Sequence, residues 1–144
     1  MAKHDRAPAP SSKEETWRRF KEASARLAEA FRPWVEGWRA LRARLEAEGF
    51  RITNDPDVFP TMAPIQLEGF LPSGEAFSFR GRHETCSLRI APPDGNPVTE
   101  PSWRHDVSRW DRFEAGCLDA EEAEAVLHEL LAAYQSEQDD PAQP

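Results

Sequence analysis

Two cysteines, Cys86 and Cys117, are too few to build a disulfide framework. No apolar run approaches the ~20 residues needed to span a bilayer, so a membrane role is not expected. The opening stretch "MAKHDRAPAPSSKEE" lacks an apolar segment, which argues against a secretory signal and for a cytoplasmic chain with reduced thiols. Lysine is scarce, 3 against 15 arginines, a bias that points to a GC-rich coding sequence and not to any chemistry. There is no G-x-S-x-G, no phosphate-cradling glycine loop and no H-E-x-x-H, so no common catalytic signature is present. Residues 119–144 hold no basic side chain at all and eight acidic ones.

With 144 residues, one domain is expected, large enough to bury a core without metal or disulfide. The 39% hydrophobic content is low and 13 prolines are many, so part of the chain is tail or loop. The net charge of −8 equals that of residues 119–144 alone. Phosphate contacts need a dominant positive field, so nucleic acid is a poor partner for the whole chain. The acidic end suits a solubility device or contact with a basic partner surface.

Residues 1–12 and 137–144 read as disordered tails around a domain at 13–136. From Ser12, with Glu15 as a capping-box partner, Trp17, Phe20, Ser24, Leu27, Phe31, Trp34, Trp38, Leu41 and Leu45 recur at alternating spacings of three and four. This is a heptad seam. Its bulky aromatics and small flanks (Ala23, Ala28, Ala30, Val35, Gly37) suit packing on a sheet or another helix better than a two-stranded coil. Pro33 costs about 3 kcal/mol inside a helix but is welcome at a first turn. The pattern therefore predicts a kinked segment: an arm at 13–31 and a second helix at 33–48, closed by Gly49 as a left-handed cap with Phe50 folded back. Unbroken, the segment would run about 50 Å at 1.5 Å per residue. Strands of roughly 20–25 Å leave half of that length uncovered.

After a proline-punctuated connection, residues 64–91 read as a three-stranded antiparallel meander: "PIQLEGFLP", "AFSFRGR" and "TCSLRIA". The expected register sets Leu71 against Phe77 and Gly69 against Phe79, then Phe79 against Leu88 and Phe77 against Ile90. Ile65, Leu67, Leu71, Phe77, Phe79, Cys86, Leu88 and Ile90 form the core face. Gln66, Glu68, Phe70, Ser78, Arg80, Arg82, Ser87 and Arg89 form the reverse face, with Glu68 opposite Arg80. A possible fourth strand spans 109–115. A C-terminal helix spans 119–136, capped by Asp119 with Glu122, with Leu118 as a hydrophobic staple and Ala123, Val126, Leu127, Leu130, Leu131 and Tyr134 as its buried stripe. The fold class is α+β, with the helices mainly on one face of the sheet.

Chemistry is sparse. His83, Cys86, His105 and Cys117 could in principle ligate zinc, but their spacing matches no common module and Cys86 lies on the core face. Cys117 precedes a helix start, where a thiolate is favoured, but Asp119 opposes it. His105 and Asp106 are adjacent on an extended segment and point apart. No metal or cofactor is expected, and the chain is read as a non-enzyme. Two binding surfaces remain. Trp17 and Phe20 lie on the arm with Arg18, Arg19, Arg26 and Leu27, a hot-spot composition suited to a protein partner or to self-association as a homo-oligomer. The alternative is an anion, small-ligand or RNA surface made of Arg80, Arg82 and Arg89 on an uncovered sheet face.

"LEGFLPSGEAFSFRGRHETCSLRI" and "WDRFEAGCLDAEEAEAVLHELL" together resemble uncharacterised small proteins of GC-rich actinobacteria and their mobile elements, over about residues 65–132. The resemblance implies at most an accessory role in a host–phage or mobile-element setting and transfers no functional residue. A regulator or inhibitor that docks on a basic target is read from the net charge of −8 over residues 119–144.

Overall fold

Hydrophobic periodicity that switches from helical to alternating, then back to helical, gives an α+β chain in the computed structural model, which describes residues 12–54, 65–112 and 114–139. Of the expected tails at 1–12 and 137–144, residues 1–11 and 140–144 lie outside those residues, as does most of the proline-rich connection.

The first helix, α1, runs Ser12–Ala47 as one 36-residue element with Pro33 inside it. The expected interruption between 31 and 33 does not occur. A proline removes one bond of the ladder and crowds the carbonyl four residues back, here that of Glu29, yet the helix continues on both sides of it. Before it, Glu15 pairs with Arg18 and Arg19, and Glu29 pairs with Arg32. After it, Trp38, Leu41 and Leu45 are buried in the core. Pro33 is nevertheless the boundary of another kind: the chain divides there into two compact units, 1–33 and 34–144.

In the unit 34–144, α1 closes as the sequence predicts. Gly49 takes φ 105, its N–H donates to the Glu46 carbonyl, and the Phe50 N–H reaches back to Leu45. Phe50 then buries edge-on against Phe77, centroids 5.8 Å apart. Five antiparallel strands follow in sequential order: β1 (Arg51–Ile52), β2 (Ile65–Phe70), β3 (Ala76–Arg82), β4 (Thr85–Ala91) and β5 (Trp103–Ser108). All eight residues expected on the core face are buried. The β3–β4 register is as expected, with Phe79 opposite Leu88 and Phe77 opposite Ile90 across the two-residue turn His83–Glu84.

Three expectations are corrected. The sheet has five strands, not three or four. The β2–β3 register is shifted by two, with Leu67 opposite Phe79, Gly69 opposite Phe77 and Gln66, not Glu68, opposite Arg80. Leu71 leaves the strand for a five-residue loop, closed by its N–H on the Glu75 carbonyl. A shift of two keeps every side chain on its face, so the core pattern could not tell the registers apart. The last strand is 103–108, not 109–115. Residues 109–112 instead reach towards the final helix: Arg109 pairs with Glu129, and the Trp110 indole N–H donates to Glu122 at 3.0 Å.

A short 3-10 turn, Glu114–Cys117, leads into the final helix, α2 (Ala120–Gln138). Asp119 caps it, its carboxylate accepting from the Glu122 N–H at 2.9 Å. Leu118 is buried at the entry, and the expected stripe of Ala123, Val126, Leu127, Leu130 and Leu131 is buried, with Tyr134 half-buried. Arg44 of α1 grips Glu124 of α2 through two bonds of 3.0 and 3.1 Å. Glu137, expected in a tail, belongs to α2 and accepts from the Trp103 indole. No helix among the described residues is long and apolar enough to cross a membrane.

Candidate functional site

In the unit 1–33, the described residues of α1 are exposed all round the helix, with Glu15 and Phe31 partly covered. At 100° per residue, Trp17, Phe20, Ser24, Leu27 and Phe31 fall within an arc of about 80°. Among the described residues, Trp17, Phe20 and Leu27 are the large hydrophobics that stay exposed, at 58%, 60% and 54%. The two aromatic rings stack, centroids 5.6 Å apart and planes 15° from parallel. The Lys21 ammonium sits 5.3 Å from the centre of the Trp17 ring.

The arginines expected beside this pair stand elsewhere. Arg18, Arg19 and Arg26 adjoin it in sequence, but one or two residues along a helix turn a side chain roughly 100–200° away. All three are exposed. Arg18 and Arg19 share Glu15, at 3.5 and 3.0 Å. The hot spot is therefore narrower than the sequence suggests: two stacked rings and a leucine, with Lys21 as the neighbouring cation. Sequence reading missed Lys21, although its spacing of four from Trp17 was the available signal.

In the unit 34–144, the reverse face of the sheet is built by cross-strand rows. One row runs Gln66, Arg80, Ser87, Asp106; the next runs Glu68, Ser78, Arg89, Arg104. This face is not an open platform. Ser78 is buried, and Arg80 and Arg89 are only partly exposed. The Arg89 guanidinium donates to the Val98 carbonyl at 2.9 Å, tying the 92–102 connection over the strands. That connection is itself braced by Asn96, which accepts from the Val98 N–H, and by the Ser102 N–H on the Ile90 carbonyl. Ser78, Arg80, Ser87, Arg89 and Val98 line a small cavity of about 20 Å³. The Arg80 Nε–H is buried without a hydrogen-bond partner, while its Nη2 donates to Gln66 at 3.5 Å. Arg82 stands apart, exposed, donating to His83 at 3.2 Å.

The reactive-residue candidates are dispersed. Cys86 is buried, and loss of solvation pushes its thiol up to about 12. Cys117 is exposed. His105 stacks on Trp103, centroids 5.9 Å apart. Asp106 does not engage it. Arg104 donates two bonds to Asp106, at 2.9 and 3.0 Å, and with Ser87 and Arg89 holds its carboxyl below the usual range. Among the described residues, no group of three or more His, Cys, Asp or Glu side chains is placed to hold a metal ion. A wider cleft of about 340 Å³ opens where Phe50, Leu71, Pro72, Leu131 and Tyr134 meet, with Glu48 and His128 paired at its edge, 3.3 Å apart.

No protein-family model, curated protein or solved structure matches the chain.

Proposed function

We propose that the chain is a non-catalytic protein-binding module, an adaptor or accessory regulator, whose docking element is the α1 face carrying Trp17, Phe20 and Leu27. One observation carries this reading. Three large apolar side chains on one helical face stay more than half exposed, while the core cluster is composed entirely of residues beyond Pro33. An exposed aromatic patch of this kind has the composition of an interface centre.

The recognition mode it fits is a helix laid into an apolar groove, with anchors at helical spacing. A free helix of about 20 residues is only marginally stable in water, so covering this face also stabilises the segment. Ser24, Ala23 and Ala28 beside the anchors leave room for a second helix to approach closely. A second copy of the chain is accordingly the first partner to test, and a groove on a different protein is the second. The C-terminal carboxylates support docking less. Glu122, Glu124, Glu129 and Glu137 are already engaged by Trp110, Arg44, Arg109 and Trp103. The resemblance to mobile-element proteins supports an accessory role.

The test is sedimentation of the full chain and of a Trp17→Ala, Phe20→Ala variant over a range of concentrations. The expected result is reversible association that the variant loses while the cooperative unfolding of the core is retained. A full chain that remains monomeric throughout removes self-association and leaves only the groove of another protein.

A further inference from the structure

Resting on the reading of Trp17, Phe20 and Leu27 as a docking face, we propose that the cleft beside the C-terminal half of α2 receives that face from a second copy of this chain. The cleft arises because two neighbouring helices end at different levels. Arg44 of α1 pairs with Glu124 of α2, and Glu48, just past the end of α1, pairs with His128, so their successive turns lie side by side. α1 stops at Ala47, whereas α2 runs on to Gln138. Residues 129–138 of α2, about 15 Å of helix, therefore extend past the end of their neighbour. The space left there is the cleft of about 340 Å³. Phe50, Leu71 and Leu131 form its nearly closed floor, and Pro72, Ala132 and Tyr134 its more open walls. Pockets of about 300–1,000 Å³ hold small organic groups, so this one has room for aromatic side chains.

The α1 face fits this space in length, shape and charge. Trp17 to Leu27 covers about 15 Å of helix, the same length as the unaccompanied run of α2. Ser24 and Ala28 lie on the same face and are small enough to let another helix approach closely. Residues 12–33 carry six basic and four acidic side chains, whereas residues 120–139 carry six acidic ones and no lysine or arginine. A net-positive segment thus meets a net-negative helix. Locally, the Lys21 ammonium stands 5.3 Å from the centre of the Trp17 ring. Two carboxylates flank the cleft: Glu48 at its edge, and Glu75, which accepts from the Tyr134 hydroxyl at 3.0 Å. Seating the Trp17 ring would bring Lys21 towards them. Each copy carries one such face and one such cleft, so a reciprocal exchange covers both and closes as a two-fold dimer.

Sedimentation of full-chain variants, alone and mixed, tests the pairing of face with cleft. Ala132→Arg puts a bulky cation on the exposed cleft wall and leaves the α1 face intact. It should lose most of the association, as should Trp17→Ala, Phe20→Ala. An equimolar mixture of the two should associate again, because one supplies an intact face and the other an intact cleft. Lys21→Glu should weaken association several-fold, and adding Glu48→Lys to it should restore the loss. Arg82→Gln, exposed on the reverse face of the sheet, should change nothing. Each variant is checked for the cooperative unfolding of the parent, and if Ala132→Arg does not fold, the Lys21–Glu48 exchange decides. A full chain that stays monomeric overturns the proposal and leaves the docking face to a groove on another protein. Association abolished by Trp17→Ala, Phe20→Ala but untouched by Ala132→Arg keeps the docking face and overturns the cleft. A mixture no better than its components, or an exchange that restores nothing, overturns it too.

Discussion

Trp17 and Phe20 stack on one another 5.6 Å apart while each remains about 60% exposed, so their contact is with each other and not with a core. Surface positions of this kind contribute within about ±0.5 kcal/mol to stability. Replacing either ring by alanine should shift the denaturation midpoint by no more than that. Trp38, 1% exposed on the same helix, makes the contrast: Trp38→Ala should cost about 3–5 kcal/mol. Urea titration of the single variants checks both.

Gly81 is required by close approach. A Cβ there would lie 2.0 Å from the Ala115 carbonyl oxygen, which the Ala115 N–H bond to His83 keeps in place. Ile65 closes the other side, at 2.7 Å from the same point. Gly81→Ala should destabilise by about 3 kcal/mol, at the upper end of overpacking effects. A change below 1 kcal/mol in a denaturant titration would show that the 3-10 turn can move aside.

The thiols differ sharply in accessibility. Burial pushes Cys86 up to about 12, whereas Cys117 is exposed. At pH 8 a chromogenic disulfide reagent should titrate one thiol in the native chain and two in denaturant. Cys117→Ser should leave the native protein unreactive on the same timescale.

Asp106 supplies a small acid-sensitive term. Its carboxyl is lowered first by Arg104, then by Ser87 and the Arg89 charge. A group whose folded value is depressed stabilises above its unfolded value of about 4 and loses that contribution as pH falls through the folded one. The stability gap between the natural chain and Asp106→Asn should be constant from neutral pH to about 5, then close below 4. Because the pair is partly exposed, its size should stay under about 1 kcal/mol. Chemical denaturation at stepped pH measures it.

What the sequence made legible was set by burial. Two-residue alternation identified every core-face position of β2, β3 and β4, because each of those side chains is buried between the sheet and the helices. Gly49 and Asp119 announced their helix ends through local hydrogen bonding. β1, two residues long, carries no period to detect. In β5, four of six residues are exposed and only Trp103 and Val107 are half-buried, so the edge strand has almost no pattern. Pro33 misled in another way. Intrinsic propensity assigns it a helix end, but the helix continues through it, with ion pairs before it and buried anchors after it. On the candidate surfaces, one-dimensional adjacency put Arg18 and Arg19 beside the aromatics, and helical rotation takes them away. The covering of Arg80 and Arg89 by Val98 comes from a connection whose sequence signals only a turn.

The most direct measurement is light scattering with thermal unfolding on the full chain and on a chain beginning at Trp34. The account predicts a shortened protein that is folded, monomeric and within a few degrees of the parent's unfolding temperature, while the full chain associates. A shortened protein that is unfolded or strongly destabilised would contradict it, because Trp17, Phe20 and Leu27 would then serve the fold and not a partner.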